Sequence, residues 1–142
     1  MAQITQSGKF ERVDVVDVAV LDSALTVKNY LTFYAMAARI YKEQLPENME
    51  EILCRAGSDG IMFAPVNELT KVNRVIVRSL IAHLKHADCL VGEDALEDLD
   101  AGARERLLDF FKSNFVNVGC MCVLLEKEHV AGDDRVDEII RL

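Results

Sequence analysis

Basic residues are scarce in this sequence. Its 142 residues include 16 Lys and Arg against 24 Asp and Glu, which gives a formal net charge of −8. A nucleic-acid-binding surface needs a basic face, and an anionic membrane surface attracts basic segments. We therefore expect neither a nucleic acid nor a membrane among the partners.

Long apolar runs and paired-cysteine motifs are missing as well. No run approaches the roughly 20 apolar residues that a membrane-spanning helix requires, and none of the four cysteines forms a CxxC pair. The first residues do not resemble a signal peptide. These absences predict a protein of the reducing cytoplasm.

The sequence also lacks the short motifs of common enzymes. It has no G-x-S-x-G nucleophile elbow, no glycine-rich phosphate-binding loop and no HExxH helix. We therefore predict no catalytic residue and no cofactor, and we favour a non-enzymatic protein over an enzyme.

The length predicts one domain, 1–142, in which residues 1–9 form a flexible tail. Apolar residues at helical spacing predict an all-α fold, a single bundle of about five to six helices. The segments that carry this pattern are Asp22–Leu45, Pro46–Arg55, Pro65–Asp88, Asp100–Asn114 and Arg135–Leu142.

Two segments fit either a helix or a strand. Phe10–Leu21 is rich in valine, which favours a strand, but its apolar residues do not alternate strictly. The length of Phe115–Leu125 favours a helix, while its valines and Gly119 are also compatible with a strand. A short β segment near the N-terminus is therefore possible, and it would need a partner strand.

Pro65–Asp88 is the clearest helix. Its apolar residues fill one half of the helical wheel, and its basic residues form a narrow stripe on the other half. The stripe consists of Lys71, Arg74, Arg78 and Lys85. Either it binds an acidic protein partner or a phosphorylated ligand, or it is a solvated face that pairs with the acidic last third of the chain.

His83, His86 and Cys89 follow one another at three-residue spacing at the end of this helix. Imidazole and thiolate are zinc ligands, so these residues are candidates for a metal site. Their spacing differs from the established zinc motifs. The competing interpretation places His83 at the edge of the core and His86 near the helix C-terminus, where partial positive charge is favoured.

The segment Ala82-His83-Leu84-Lys85-His86-Ala87, with Val91-Gly92 further on, resembles the phosphohistidine helix of histidine-phosphotransfer domains. The resemblance covers about ten residues and implies a small helical bundle with His83 as phosphoacceptor and Lys85 as its electrostatic aid. One residue is missing after the histidine, and His86 stands where the pattern has glycine.

An acidic cluster follows this segment: Glu93, Asp94, Glu97, Asp98 and Asp100. It lacks the glycine and the distal glutamate of a calcium-binding loop. We interpret it as acidic residues near helix N-termini, where negative charge is favoured.

The sequence as a whole predicts a protein–protein interaction module: a small acidic regulator, adaptor or chaperone-like protein. Hydrophobic residues make up 51% of the chain, which is at the upper end for a soluble domain. We therefore expect a protein partner, and self-association as a homodimer. The alternative function is histidine phosphotransfer or metal binding centred on His83 and His86.

Overall fold

The structure is a computed structural model and describes residues 11–16, 24–37 and 45–126. Within these residues, four α-helices surround a three-stranded parallel sheet of strand order β1–β2–β3. In chain order the elements are β1 (Val13–Val16), α1 (Val27–Ala37), α2 (Leu45–Arg55), α3 (Lys71–Leu84), β2 (Cys89–Glu93), α4 (Ala101–Asn114) and β3 (Met121–Leu125). Two short 3₁₀ helices, Val66–Glu68 and Val116–Val118, precede α3 and β3.

The predicted all-α bundle is wrong, and strand β2 shows why. Its first four residues are all buried. A strand that is covered on both faces reads as a continuous apolar run rather than an alternating one, so Cys89–Gly92 carries no two-residue period. The sequence consequently predicted a helix that ends at Asp88 and no strand in the residues that follow it.

The two ambiguous segments both contain strands. Val13–Val16 is strand β1, and Met121–Leu125 is strand β3, which follows the 3₁₀ helix instead of continuing a long helix. Neither strand pairs with the other, because β2 lies between them. Residues 10 and 17–21 of the first segment, the last predicted helix and the N-terminal tail lie outside the described residues.

The register of the sheet is fixed at its amino edge. The Asp88 carboxylate accepts the backbone N–H groups of Glu11 and Arg12, at 3.1 and 3.0 Å, and the Arg12 carbonyl accepts from Asp88 and Cys89. These bonds place Val13 opposite Cys89, and Cys89 in turn lies opposite Met121.

The predicted helices are largely confirmed, with corrected ends. Helix α3 begins at Lys71 rather than Pro65, because Thr70 caps it and a 3₁₀ turn occupies the preceding residues. Asp100 caps α4 as predicted, accepting the Ala103 N–H at 2.8 Å. The predicted helix Asp22–Leu45 is observed over Val27–Ala37; residues 22–23 and 38–44 are not described.

Helix α3 is the central helix, since it packs against α1, α4 and β1. Nine of its fourteen residues are buried. A polar network joins its first turn to its neighbours: Ser58 donates to the Asn73 side chain at 2.7 Å, and Arg106 of α4 donates to the Ser58 hydroxyl at 2.9 Å. The network gives the buried Ser58 hydroxyl two hydrogen-bonding partners, which lowers the cost of its burial.

Arg78 attaches α3 to strand β1. Its guanidinium donates to both oxygens of the Asp14 carboxylate at 3.0 Å and to the Val15 carbonyl at 2.9 Å. The two charged side chains are only 20% and 15% exposed. A bidentate pair this well shielded from water contributes more than an ordinary surface ion pair.

We therefore expect Asp14→Asn to lower the free energy of unfolding by about 2 kcal/mol, because it leaves the half-buried Arg78 without its charged acceptor. Urea denaturation followed by circular dichroism measures the change. The exposed Glu68→Gln loses the same charge and should stay within about 0.5 kcal/mol of the wild type. Equal stability of the two variants would show that the pair adds nothing.

Candidate functional site

Two carboxylates follow the central strand where it leaves the sheet. Glu93 is the exposed last residue of β2, and Asp94 comes directly after it. Glu126 follows β3 at the same edge, and the Asp94 N–H donates to the Leu125 carbonyl at 2.9 Å. Because parallel strands end at one edge, these acidic side chains are brought together although 32 residues separate Asp94 from Glu126.

The turn Asp94–Leu99, which follows this edge of the sheet, has an unusual backbone conformation. Asp94 has φ 51° and Asp98 has φ 61°. Left-handed backbone at a residue other than glycine costs on the order of 1 kcal/mol, and it is concentrated at functional sites. Two such residues in one short turn therefore mark this edge as a candidate site.

Glu126 holds the turn from the side of β3. Its Oε1 accepts the Leu96 N–H at 3.0 Å. Burial raises the pKa of the Glu126 carboxyl above its ordinary value, and the charge of Asp94 acts in the same direction. The Leu96 and Ala95 N–H groups and the Lys71 ammonium oppose that rise in pKa. The Glu126 carboxylate is thus a half-buried hydrogen-bond acceptor at the carboxyl edge of the sheet.

Lys71 approaches the same turn from α3. Its Nζ donates to the backbone carbonyls of Asp94, at 2.9 Å, and Glu97. It is the first residue of the helix, at the end where a positive charge is unfavourable. The two carbonyls and the nearby acidic groups offset that unfavourable position.

The chemistry available at this edge is that of hard oxygen ligands. Among residues 11–16, 24–37 and 45–126, no group of three His, Cys, Asp or Glu residues could by itself hold a metal ion. Mg²⁺ is commonly held by only one or two carboxylates together with the phosphates of a ligand. Glu93 and Asp94 suit that kind of shared binding.

Residues of the predicted basic stripe bind different parts of the same chain. Lys71 binds the Asp94–Glu97 turn, and Arg74 donates to the carbonyls of Leu69 and Asn67, both at 3.0 Å. Arg78 binds Asp14. Partner binding by this stripe stays a prediction.

Lys85 is the exposed member of the stripe and lies at the opposite, amino edge of the sheet. It lines an open cavity of about 190 Å³ together with Arg12, Val13, Asp14 and Ala87. This cavity is remote from Glu93 and Asp94, which lie at the other end of strand β2.

His83 and Cys89 are placed against the core, whereas His86 is exposed. The His83 ring meets Phe115 edge-on, with centroids 6.0 Å apart. Burial lowers the pKa of His83, the neighbouring His86 lowers it further, and a hydrogen bond to the Asn114 backbone acts against this. Cys89 is fully buried at the start of β2. The interpretation of these residues as metal ligands stays a prediction.

The sequence did not reveal that Glu93, Asp94 and Glu126 lie at one edge of the sheet. The first two were interpreted as acidic residues near a helix N-terminus, but they end a strand and begin a turn. The available signal was a short apolar run, Cys89–Gly92, followed at once by two acids. Glu126 had no comparable signal, because only the pairing of β2 with β3 brings it to the edge.

Comparison with known proteins identifies the fold. No protein-family model matches the sequence, and no curated protein matches it. The structure of cbiO1 from Clostridium perfringens, described as part of the ABC transporter complex cbiONQ, is similar to this one with a TM-score of 0.69 and 15% sequence identity. The similarity covers 82% of this chain, which spans 47% of the length of that one.

This likeness corrects the predicted function as well as the fold. A helical interaction module is wrong, because the chain contains a three-stranded parallel sheet and its fold is similar to that of cbiO1. The phosphotransfer alternative is wrong for the same reason, since that resemblance implies a helical bundle.

No helix in the part of the chain that the structure describes is both long enough and apolar enough to span a bilayer.

His83 gives the fold a testable dependence on pH. Because burial lowers its pKa below the ordinary value of 6.5, the unfolded chain binds this proton more readily than the folded one. Stability then falls as the pH drops below 6.5 towards the pKa of the folded state. We expect His83→Gln to flatten this fall in urea denaturation measured from neutral pH to about pH 5.

The exposed His86 supplies the matched control for that experiment, since His86→Gln should leave most of the pH dependence in place. An unchanged pH profile in His83→Gln would show that another group causes the loss of stability.

Proposed function

We propose that this chain is a nucleotide-binding component of a transporter-type complex, in which Glu93 and Asp94 face the metal ion and phosphates of ATP. The observation that carries the proposal is the pair of consecutive carboxylates at the carboxyl end of the central strand of a parallel sheet.

The position of the pair supports a ligand site. In open sheets of parallel strands, ligands bind outside the carboxyl ends of the strands. In ATPases and GTPases with a phosphate-binding loop, an acidic residue helps to hold the Mg²⁺ that bridges the phosphates. Glu93 is exposed and Asp94 is half-buried, so both the position and the chemistry of these side chains suit the metal side of such a site.

The comparison supports the choice of nucleotide. The similar protein is described as part of an ABC transporter complex, and ABC proteins are named for an ATP-binding cassette. The 142 residues contain no GxxxxGK[S/T] loop. The proposal therefore assigns the phosphate-binding loop to a second polypeptide segment and assigns to this chain the acidic side of the site.

The residues of this chain then have separate tasks. Bound Mg²⁺ would neutralise phosphate charge, and Glu93 and Asp94 would orient it through their carboxylates. Glu126 fixes the backbone that follows Asp94 by accepting the Leu96 N–H. Lys71 fixes the same turn from α3.

Mg²⁺–ATP should therefore shift backbone amide resonances at Glu93, Asp94 and Glu126 in ¹H–¹⁵N NMR spectra of the isolated chain. Val13 and Cys89, at the amino edge, should not respond. We expect Glu93→Gln and Asp94→Asn each to weaken the binding about tenfold, or ~1.4 kcal/mol, because each removes one charged contact to the metal.

Glu51→Gln is the matched control, since it removes an exposed carboxylate from α2 and changes the net charge equally. Three results would count against the proposal: no shifts at millimolar Mg²⁺–ATP, shifts centred elsewhere, or equal effects of Glu51→Gln and Glu93→Gln.

We further propose that this chain binds a protein partner, and that the partner is a second copy of the same chain. Exposed apolar side chains support it: Phe33 and Met36 of α1 are 62% and 57% exposed, and Phe63 is 73% exposed. Phe33 and Met36 are three residues apart and share one face of the helix. Single exposed apolar residues are ordinary, but a group of them marks an interaction surface.

Light scattering over a wide range of protein concentrations should show a dimer that Phe33→Ser converts largely to monomer, because burial of this aromatic ring drives association. Val118→Ser changes another exposed apolar residue, 66% exposed, and should leave the dimer intact. A wild-type monomer at every concentration would refute self-association.

A further inference from the structure

Lys71 breaks a local rule of helix formation. The first turn of a helix carries partial positive charge, which disfavours a cation there. Lys71 nevertheless occupies the first position of α3, and this helix has no acidic residue in its first turn. Local rules of this kind are broken mainly at functional or strained sites, where another interaction offsets the cost.

The surroundings of Lys71 identify that interaction. Its Nζ donates to the carbonyl oxygens of Asp94 and Glu97. The Glu126 carboxylate is near enough for the Lys71 charge to favour its ionised form. Backbone carbonyls and carboxylates are also the ligands that Ca²⁺ and Mg²⁺ take in proteins. The ammonium group thus lies among ligands of the type that bind a divalent cation.

We propose that Lys71 is the resident cation of the carboxyl edge: its ammonium group takes the place of a divalent ion and holds the Asp94–Glu97 turn, with Asp94 in its left-handed conformation. Lys71 is a positioning residue in this arrangement, because it acts through the backbone that orients the Asp94 side chain. The inference does not rest on nucleotide binding.

Removal of the charge has a specific consequence. Without the ammonium group, the Asp94 and Glu97 carbonyls lose their donor and the Glu126 carboxylate loses a nearby positive charge. The left-handed Asp94 then loses the contact that offsets its strain. A divalent cation added to the solution can bind the same oxygens and restore the turn. If Lys71 acted only as a hydrogen-bond donor, a divalent cation would not replace it.

The test compares the thermal unfolding of wild type, Lys71→Met and Lys85→Met at low ionic strength. Each is measured with Mg²⁺ or Ca²⁺ and with NaCl at matched ionic strength. We expect the wild type to respond to none of these salts specifically. Lys71→Met should unfold roughly 4 °C lower and should regain at least half of that loss with a divalent salt but not with NaCl.

Two further variants locate the effect. Lys85→Met removes an exposed lysine at the other end of the same helix and should match the wild type in every salt. Glu126→Gln added to Lys71→Met should abolish the recovery, because a carboxylate ligand is lost. Recovery that persists in this double variant would overturn the proposal, as would equal recovery in NaCl or a loss that no salt restores.

The wild type provides an independent test if Lys71→Met does not fold. Mg²⁺ alone should leave the amide resonances of Ala95, Leu96 and Glu97 unchanged, because Lys71 already occupies the carbonyl oxygens of the turn. Saturable shifts of these amides with Mg²⁺ alone would show that the edge takes a metal beside Lys71, and the inference would be wrong. This measurement contains no nucleotide, so its outcome is separate from that of the ATP titration.

Discussion

The rest of the structure depends on the burial of strand β2 on both faces. Its central position forces β1 and β3 to opposite sides, each in parallel register, and its apolar residues require helices as cover. Parallel pairing in turn places the amino ends of all three strands at one edge of the sheet and their carboxyl ends at the opposite edge. Asp88 therefore lies where the strands begin, and Glu93, Asp94 and Glu126 lie where they end. The separation of these polar groups into two edges follows from the direction of the strands.

Helix α3 connects the two edges, and its basic residues each attach a different part of the chain. Lys71 binds the turn after β2, Arg74 binds the 3₁₀ segment before the helix, and Arg78 binds β1. The helical spacing that made these residues look like a docking surface in the sequence also lets them reach these three parts in succession. His83, at the far end, packs on Phe115. The helix is thus anchored by charge along one side and by apolar burial along the other.

The sequence predicts those elements whose signal is local. Helix α3 and the Asp100 cap of α4 follow from apolar periodicity and from a capping side chain. The sheet does not follow, because strands of four or five residues that are buried or half-buried carry no reliable alternation. The candidate site is the part of the structure that is hardest to predict from the sequence. Lys71, Asp94 and Glu126 are 23 and 32 residues apart in sequence, and only the parallel pairing of β2 with β3 and the position of α3 bring them together.

The carboxyl edge combines several features that would each destabilise a protein alone. It contains left-handed aspartates, a half-buried glutamate and a lysine at the wrong end of a helix. Each offsets another: Lys71 binds the strained turn, and Glu126 binds the N–H that the turn presents. The result is a fixed backbone from which Glu93 projects into solvent. Because the cost of ordering this backbone is met by folding, a ligand that needs an oriented carboxylate does not have to supply that free energy when it binds.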